Sequence, residues 1–168
     1  MLVIVRQLER AHIQDILRIQ REAYVPELHE PASSFEEKLS LFPRGALGCW
    51  KDGLLAGYAV SLPWRGDDVV PLSRPIGGIP SNPDTLFLHD VAVANAGRGM
   101  GIAPRLVDHV FALADEIKTR RIALVAVQES ELFWGRFGFR RVEAIPYATT
   151  MPAIKMLLVR PAPRDAHG

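Results

Sequence analysis

A nearly unbroken apolar run, Leu86 to Val93, leads through Arg98-Gly99-Met100-Gly101-Ile102-Ala103 into a segment whose apolar residues recur at helical spacing. The run ends in β-branched residues and reads as a strand buried on both faces, with His89 and Asp90 as polar interruptions that need partners. Ile102, Leu106, Val110, Leu113 and Ile117 make one face of an amphipathic helix, and Pro104 suits its first turn. A buried strand that feeds a helix through glycines requires a layered fold in which helices cover a sheet.

The rest of the chain supplies the other layers. Val3 to Leu8 reads as a strand, and Ile13, Ile16, Leu17 and Tyr24 as a helix broken by Pro26 and Pro31. Ser34 and Glu37 have capping-box spacing, which predicts a short helix to about Leu41. Leu47–Trp50 and Leu54–Leu62 flank Asp52-Gly53 as a hairpin. Ile122–Val127, Phe139–Glu143 and Ile154–Arg160 read as strands and Ser130–Arg136 as a short helix. The order β-α-α-β-β-β-α-β-α-β-β predicts an α/β or α+β mixed sheet with helices on its faces, in one domain over residues 1–160, with a frayed tail at 161–168. Pro63 to Asp84 is a long loop that reads either as a substrate loop or as a surface insertion.

Apolar residues at 48% and charged residues at 23% of 168 are ordinary for a chain that folds on its own, and a net charge of +1 argues against a broad nucleic-acid surface. Cys49 has no internal disulfide partner, Leu2–Val5 is too short for a signal segment, and no apolar run reaches membrane-spanning length, so a reducing cytoplasm is expected. The scattered histidines give no metal-ligand spacing, and no metal is expected. The state expected is a monomer or homodimer.

Arg98 to Ala103 has the form of a phosphate-holding turn. Glycines let the backbone approach an anion, and the unpaired N–H groups at a helix start point at it. The spacing lacks the Gly-Lys-Ser/Thr of a Walker loop and the third glycine of a dinucleotide fingerprint. An ordinary tight turn is the other reading of two glycines.

Leu86 to Val93 followed by Arg98 to Ala103 resembles the acetyl-CoA-binding signature of the GNAT N-acetyltransferase superfamily, and Phe133-Trp134-Gly135-Arg136-Phe137-Gly138-Phe139 is similar to its Phe-Tyr-x-x-x-Gly-Phe block. The resemblance implies a mostly antiparallel mixed sheet of that superfamily and acyl transfer from acetyl-CoA to a small-molecule or peptide amine. It also implies that Val91, Ala92 and Val93 meet the pantetheine arm, that the N–H groups of Gly99, Met100, Gly101, Ile102 and Ala103 hold the pyrophosphate, and that Trp134 belongs to the cofactor site. Arg98 either contacts phosphate or shapes the turn.

An alkylammonium acceptor of pKa about 10.4 loses its proton at a cost of about 4–5 kcal/mol at pH 7, so a base is useful. His89 is the first candidate, with Asp90 and Glu129 as reserve bases; alternation along a strand separates His89 from Asp90 unless a bulge intervenes. The alternative for His89 is a core histidine held by a backbone carbonyl. Trp134 stands where relatives carry a tyrosine acid, and indole only donates a hydrogen bond, so Ser130 or Tyr147 becomes the donor, or the thiolate leaves with help from Trp134 or water. Trp134 also motivates a rival reading, a non-catalytic acyl-CoA sensor. Tyr24, Glu27, His29 and Glu30 either border the acceptor pocket or form a solvated loop.

Overall fold

The computed structural model describes residues 1–147 and 152–162. The tail expected from 161 onward thus lies, beyond Ala162, outside the described residues. Strands β1 (Val3–Gln7), β2 (Ala46–Lys51), β3 (Leu54–Trp64), β4 (Thr85–Val93), β5 (Arg121–Ala126), β6 (Arg140–Ile145) and β7 (Ala153–Val159) form one sheet, in the order β1-β2-β3-β4-β5-β7-β6. Every neighbouring pair is antiparallel except β4 and β5. Helices α1 (Ile13–Ala23) and α2 (Ala32–Leu41) cover one face; α3 (Ile102–Glu116) and the short α4 (Glu131–Gly135) cover the other.

Two cores result, one on each face of the sheet. Ile13, Ile16 and Ile19 of α1 and Phe35 and Leu39 of α2 pack on Tyr58, Val60, Leu62 and Phe87. Ile102, Leu106, Val110 and Leu113 of α3 pack on Ala59, Leu86, Leu88, Ile122 and Leu124. The helical spacing of those apolar residues therefore lies against the sheet as expected. The Asp52-Gly53 hairpin also forms, with φ of 49° and 85°, the paired positive values that match the twist of adjoining strands. No helix among the described residues is long and apolar enough to cross a membrane.

One local expectation fails. α2 starts at Ala32 behind Pro31, with no side-chain cap. The Ser34 hydroxyl instead donates to Glu30 Oε2 at 2.5 Å, and Glu37 accepts from the main-chain N–H groups of Ile76 and Gly77 at 2.8 and 3.1 Å. Tertiary partners have taken both side chains that the capping spacing would use, and Glu37 thereby pins the 63–84 loop over the α1–α2 face. Val70 of that loop is fully buried in the core below, as is most of Trp64.

Candidate active site

β3 and β4 change register between Val60 and Ser61: Val60 lies opposite Asp90 and Ser61 opposite Leu88, which leaves His89 as the extra residue of a β-bulge. Phe87 and Ala92 join the core under α1 and α2, while Leu86 and Leu88, with Val91 and Val93 packed beside them, join the core under α3. Strict alternation would have sent His89 and Asp90 to opposite faces. With the bulge both turn to the α1–α2 side, where His89 meets Glu30 and Asp90 meets Tyr58.

The same strand opens an edge. β4 pairs with β5 only at Leu86–Ile122 and Phe87–Ala123, after which the two parallel strands separate. Ala94 N–H donates to the Ala56 carbonyl at 2.8 Å, so the antiparallel ladder engages the main-chain groups of Ala92 and Asp90 and directs those of Val91 and Val93 away from β3, toward the gap. The Tyr24 hydroxyl reaches the Val91 carbonyl there at 2.6 Å. A cavity of about 270 Å³ fills the gap, running from Arg98 and Ala103 at the α3 end, past Val91, Ala92 and Val93, to His89, Asp90 and Glu30.

At the α3 end, Gly99 and Gly101 have φ of 74° and 71°, and Gly101 is the N-cap of α3. A Cβ at either position would meet nothing within 4 Å, so glycine serves the backbone conformation there and leaves the space above the turn open. Arg105 N–H bonds to the Gly101 carbonyl at 3.2 Å; the N–H groups of Ile102 and Ala103 precede the helical ladder, and Pro104 has none. The Ile102 side chain is buried in the core, so only its main chain belongs to the turn. Arg98 and Met100 are exposed, and Arg98 makes no ion pair among the described residues.

At the other end lies a buried charge cluster. His89 Nε2 is 2.6 Å from Glu30 Oε1, with side-chain exposures of 0% and 2%. Glu30 Oε2 accepts from Ser34 Oγ and from Ser73 N–H at 3.0 Å, and Lys38 Nζ lies 3.5 Å away while donating to Ser34 Oγ at 2.7 Å. Burial pushes the Glu30 carboxyl up, but His89, Lys38 and Ser34 together outweigh it and hold the group at about 2. Asp90 goes the other way. Burial drives it from 3.8 to about 6, and the charge of Glu30 adds to the rise, against lowering by His89 and the hydroxyls of Tyr58 and Tyr24. Tyr58 donates to Asp90 Oδ2 at 2.8 Å, and burial, then Asp90, pushes both tyrosines well above their ordinary range.

The partner of His89 is therefore a carboxylate, not the backbone carbonyl of the core-histidine alternative. Trp134 lines the cavity and stacks edge-on with Phe133 at 4.9 Å and with Phe139 at 5.7 Å. Tyr147 and Ser130 also line it, but the Ser130 hydroxyl donates to the Val127 carbonyl at 2.7 Å. Tyr24, Glu30 and Leu72 of the long loop reach the cavity; Glu27 is exposed outside it, and His29 Nε2 sits 2.7 Å from the Tyr24 carbonyl. Glu129 lies apart from His89, in an outer groove that shares Tyr24, Gln128 and Ser130 with the cavity and also presents Glu22, Glu131 and Arg141.

Sequence reasoning missed Tyr58, Lys38 and Gln128. Gln128 accepts from Val25 N–H at 2.9 Å and donates to the Ala23 carbonyl at 3.1 Å, fixing the end of α1 to the end of β5. A lysine eight residues after a glutamate and a glutamine at the end of a strand carry no local signal for such contacts.

A family model described as the acetyltransferase (GNAT) family matches residues 13–139. No curated protein matches the chain significantly. Among solved structures, the loading GNATL domain of CurA from Lyngbya majuscula is 11% identical, with 95% of this chain and 98% of that chain covered and a TM-score of 0.79. The GphF GNAT-like decarboxylase in complex with isobutyryl-CoA is 12% identical over 93% of this chain and 98% of that chain, with a TM-score of 0.78. The ribosomal-protein-S18-alanine N-acetyltransferase from Escherichia coli is 15% identical over 99% of this chain and 100% of that chain, with a TM-score of 0.71. At these identities the neighbours establish a shared fold. With α1 through α4, the bulged strand and the glycine turn all inside the matched span, the chain belongs to the acetyltransferase (GNAT) family.

Proposed function

We propose that this protein transfers an acyl group, acetyl in the first instance, from its coenzyme A thioester to an amine in one step within a ternary complex. The observation that carries the reading is the continuity of one cavity from the α3 turn to His89 and Asp90. The turn suits a pyrophosphate, because Gly99 and Gly101 leave open space and the N–H groups from Gly99 to Ala103 have few competing acceptors. Arg98 and Met100 flank that anion, the main-chain groups of Val91 and Val93 suit the pantetheine amides, and Ala92 and Trp134 wall the channel. The co-substrate, when bound, supplies an activated acyl carbon on sulfur.

The protein's own groups handle the protons. His89 takes the proton of the incoming amine, directly or through a water, and Asp90, brought to about 6, is a second acceptor on the same face. The C–N bond forms as the C–S bond breaks, and Tyr147 donates a hydrogen bond to the departing sulfur. Free N–H groups on the β4 edge are the donors available to the thioester oxygen. For the acceptor, the outer groove supports a cationic amine: of its three carboxylates, Glu22 is paired with Arg18 at 3.3 Å and Glu131 with Arg141 at 3.7 Å, while Glu129 has no ion-pair partner among the described residues. A protein amine, as in the ribosomal-protein-S18-alanine acceptor that one neighbour is named for, and a small-molecule amine both meet that description.

Calorimetric titration with acetyl-CoA and with ATP, followed by a thiol-release assay over an amine panel, tests the proposal. Micromolar binding of acetyl-CoA alone, with amine-dependent turnover lost in His89→Ala, is expected. Binding without turnover on any amine would favour a sensor, and no binding of acetyl-CoA would remove the reading.

A further inference from the structure

We infer that Glu30 is a positioning residue for His89, fixing the imidazole in the tautomer that presents Nδ1 to the cavity. The inference rests on the proposed role of His89 as the base. A carboxylate without a proton only accepts hydrogen bonds, so the 2.6 Å contact to Glu30 Oε1 requires the proton on His89 Nε2. In the neutral ring Nδ1 then carries the lone pair. That nitrogen is buried and has no hydrogen-bond partner among the described residues, on a side chain that lines the cavity. A buried unpaired polar atom in a native fold calls for an explanation, and a proton arriving from the acceptor amine provides one.

The rest of the cluster keeps Glu30 in that role. Its main chain is clamped by Gln20, which accepts from Glu30 N–H at 2.8 Å and donates to the Glu30 carbonyl at 2.9 Å. Its second oxygen is occupied by Ser34, Ser73 N–H and Lys38, leaving Oε1 for His89. Glu30 and Lys38 balance each other in charge while the ring is neutral. When Nδ1 takes a proton, the new positive charge sits beside the Glu30 carboxylate, with Asp90 one residue along on the same face.

Glu30→Gln separates this role from simple packing. Lys38 Nζ and Ser73 N–H only donate, so they claim the amide oxygen and turn its NH₂ toward His89. Nε2 must then accept, and the proton moves to Nδ1, where it blocks the base. In ¹⁵N-histidine spectra the unmodified protein is expected to show His89 protonated at Nε2 and Glu30→Gln to show it at Nδ1. In the variant kcat falls by roughly 10²–10⁴-fold, the scale of a general base lost to the wrong tautomer, while the acetyl-CoA Kd stays within about twofold. Nδ1–H in the unmodified protein overturns the inference even if the variant fails to fold, as does a variant with unchanged tautomer and kcat. His89→Ala with full turnover would instead sink the base assignment, whatever the tautomer.

Discussion

Glu30 and His89 lie 59 residues apart in sequence and 2.6 Å apart in space, each almost fully buried. The contact exists because a one-residue bulge in β4 turns His89 toward the α1–α2 connection, where Glu30 is anchored. It also joins three parts of the molecule: the central strand, the turn between α1 and α2, and the long loop through Ser73. The proton chemistry proposed for the cavity is thereby tied to the packing of the helical layer above it.

Asp90 gives this arrangement a pH signature. Burial foremost raises its carboxyl from 3.8 to about 6, so the native state holds the proton more tightly than the unfolded chain. Below about pH 4 the group is protonated in both states and costs nothing. As pH rises from 4 through 6 the folded protein loses up to roughly 3 kcal/mol, and the loss persists above that. Glu30, lowered from 4.5 to about 2, is ionised in the folded protein across the window; its unfolded-state titration adds an opposite, rising slope to both proteins and so drops out of their difference. Urea unfolding of Asp90→Asn beside the unmodified protein should show their difference shifting in the variant's favour by about that amount between pH 4 and 7.5. A difference that does not change with pH would contradict the assignment.

Gly101 separates backbone strain from anion binding. Its φ of 71° disfavours any side chain, yet a Cβ there meets nothing. Gly101→Ala should therefore cost about 1 kcal/mol of stability and leave acetyl-CoA binding within a few-fold. Gly101→Asp tolerates the left-handed conformation better than alanine but sets a carboxylate among the N–H groups proposed to hold phosphate. Calorimetry should show at least a hundredfold weaker binding of acetyl-CoA in the Asp variant; normal binding would mean that the turn is not the phosphate site.

Lys38 is the cation of the buried cluster, 1% exposed and 3.5 Å from Glu30 Oε2. Lys38→Met keeps the aliphatic stem and strands the carboxylate, at an expected cost of about 3–5 kcal/mol. Adding Glu30→Gln removes the stranded charge, so the double variant should be clearly more stable than the sum of the single losses predicts. Denaturant unfolding of the four proteins in a double-mutant cycle measures the coupling, and strict additivity would show the pair to be independent.

What the sequence made legible was whatever local pattern controls. Apolar runs, turn residues and, for α2, a capping spacing place all eleven strands and α-helices in order, with ends displaced by a few residues where the last ladder bond, not hydropathy, decides. The glycine turn was legible for the same reason, since positive φ at Gly99 and Gly101 is a local demand. The Ser34–Glu37 cap was misread because its spacing is local while its partners, Glu30 Oε2 and the 76–77 main chain, are tertiary. His89 and Asp90 were visible as polar breaks in an apolar strand, but the bulge that unites them depends on register with β3. Glu30 looked like one more loop carboxylate, and nothing near it in sequence announces burial.

In the proposed reaction Tyr147 is the cavity hydroxyl left to assist the departing sulfur. The Ser130 hydroxyl is committed to the Val127 carbonyl, and the Trp134 indole is not an acid. Burial raises the Tyr147 phenol above its ordinary value, and the charges of Glu30 and Asp90 raise it further. A phenol so shifted keeps its proton throughout the working range, so its role in the proposed reaction is that of a hydrogen-bond donor to the developing thiolate rather than of a strong acid. A bond to a charged acceptor contributes about 1.5–3 kcal/mol, so Tyr147→Phe should lower kcat by roughly 10–100-fold with acetyl-CoA Kd nearly unchanged. Trp134→Phe, which keeps the aromatic packing, should cost only a few-fold. The defect of Tyr147→Phe should shrink as the leaving thiol becomes more acidic, because a stable thiolate needs no donor; acetyl thioesters of coenzyme A and of an aryl thiol measure this. Equal defects on both donors would mean that Tyr147 shapes the cavity and does not assist the leaving group.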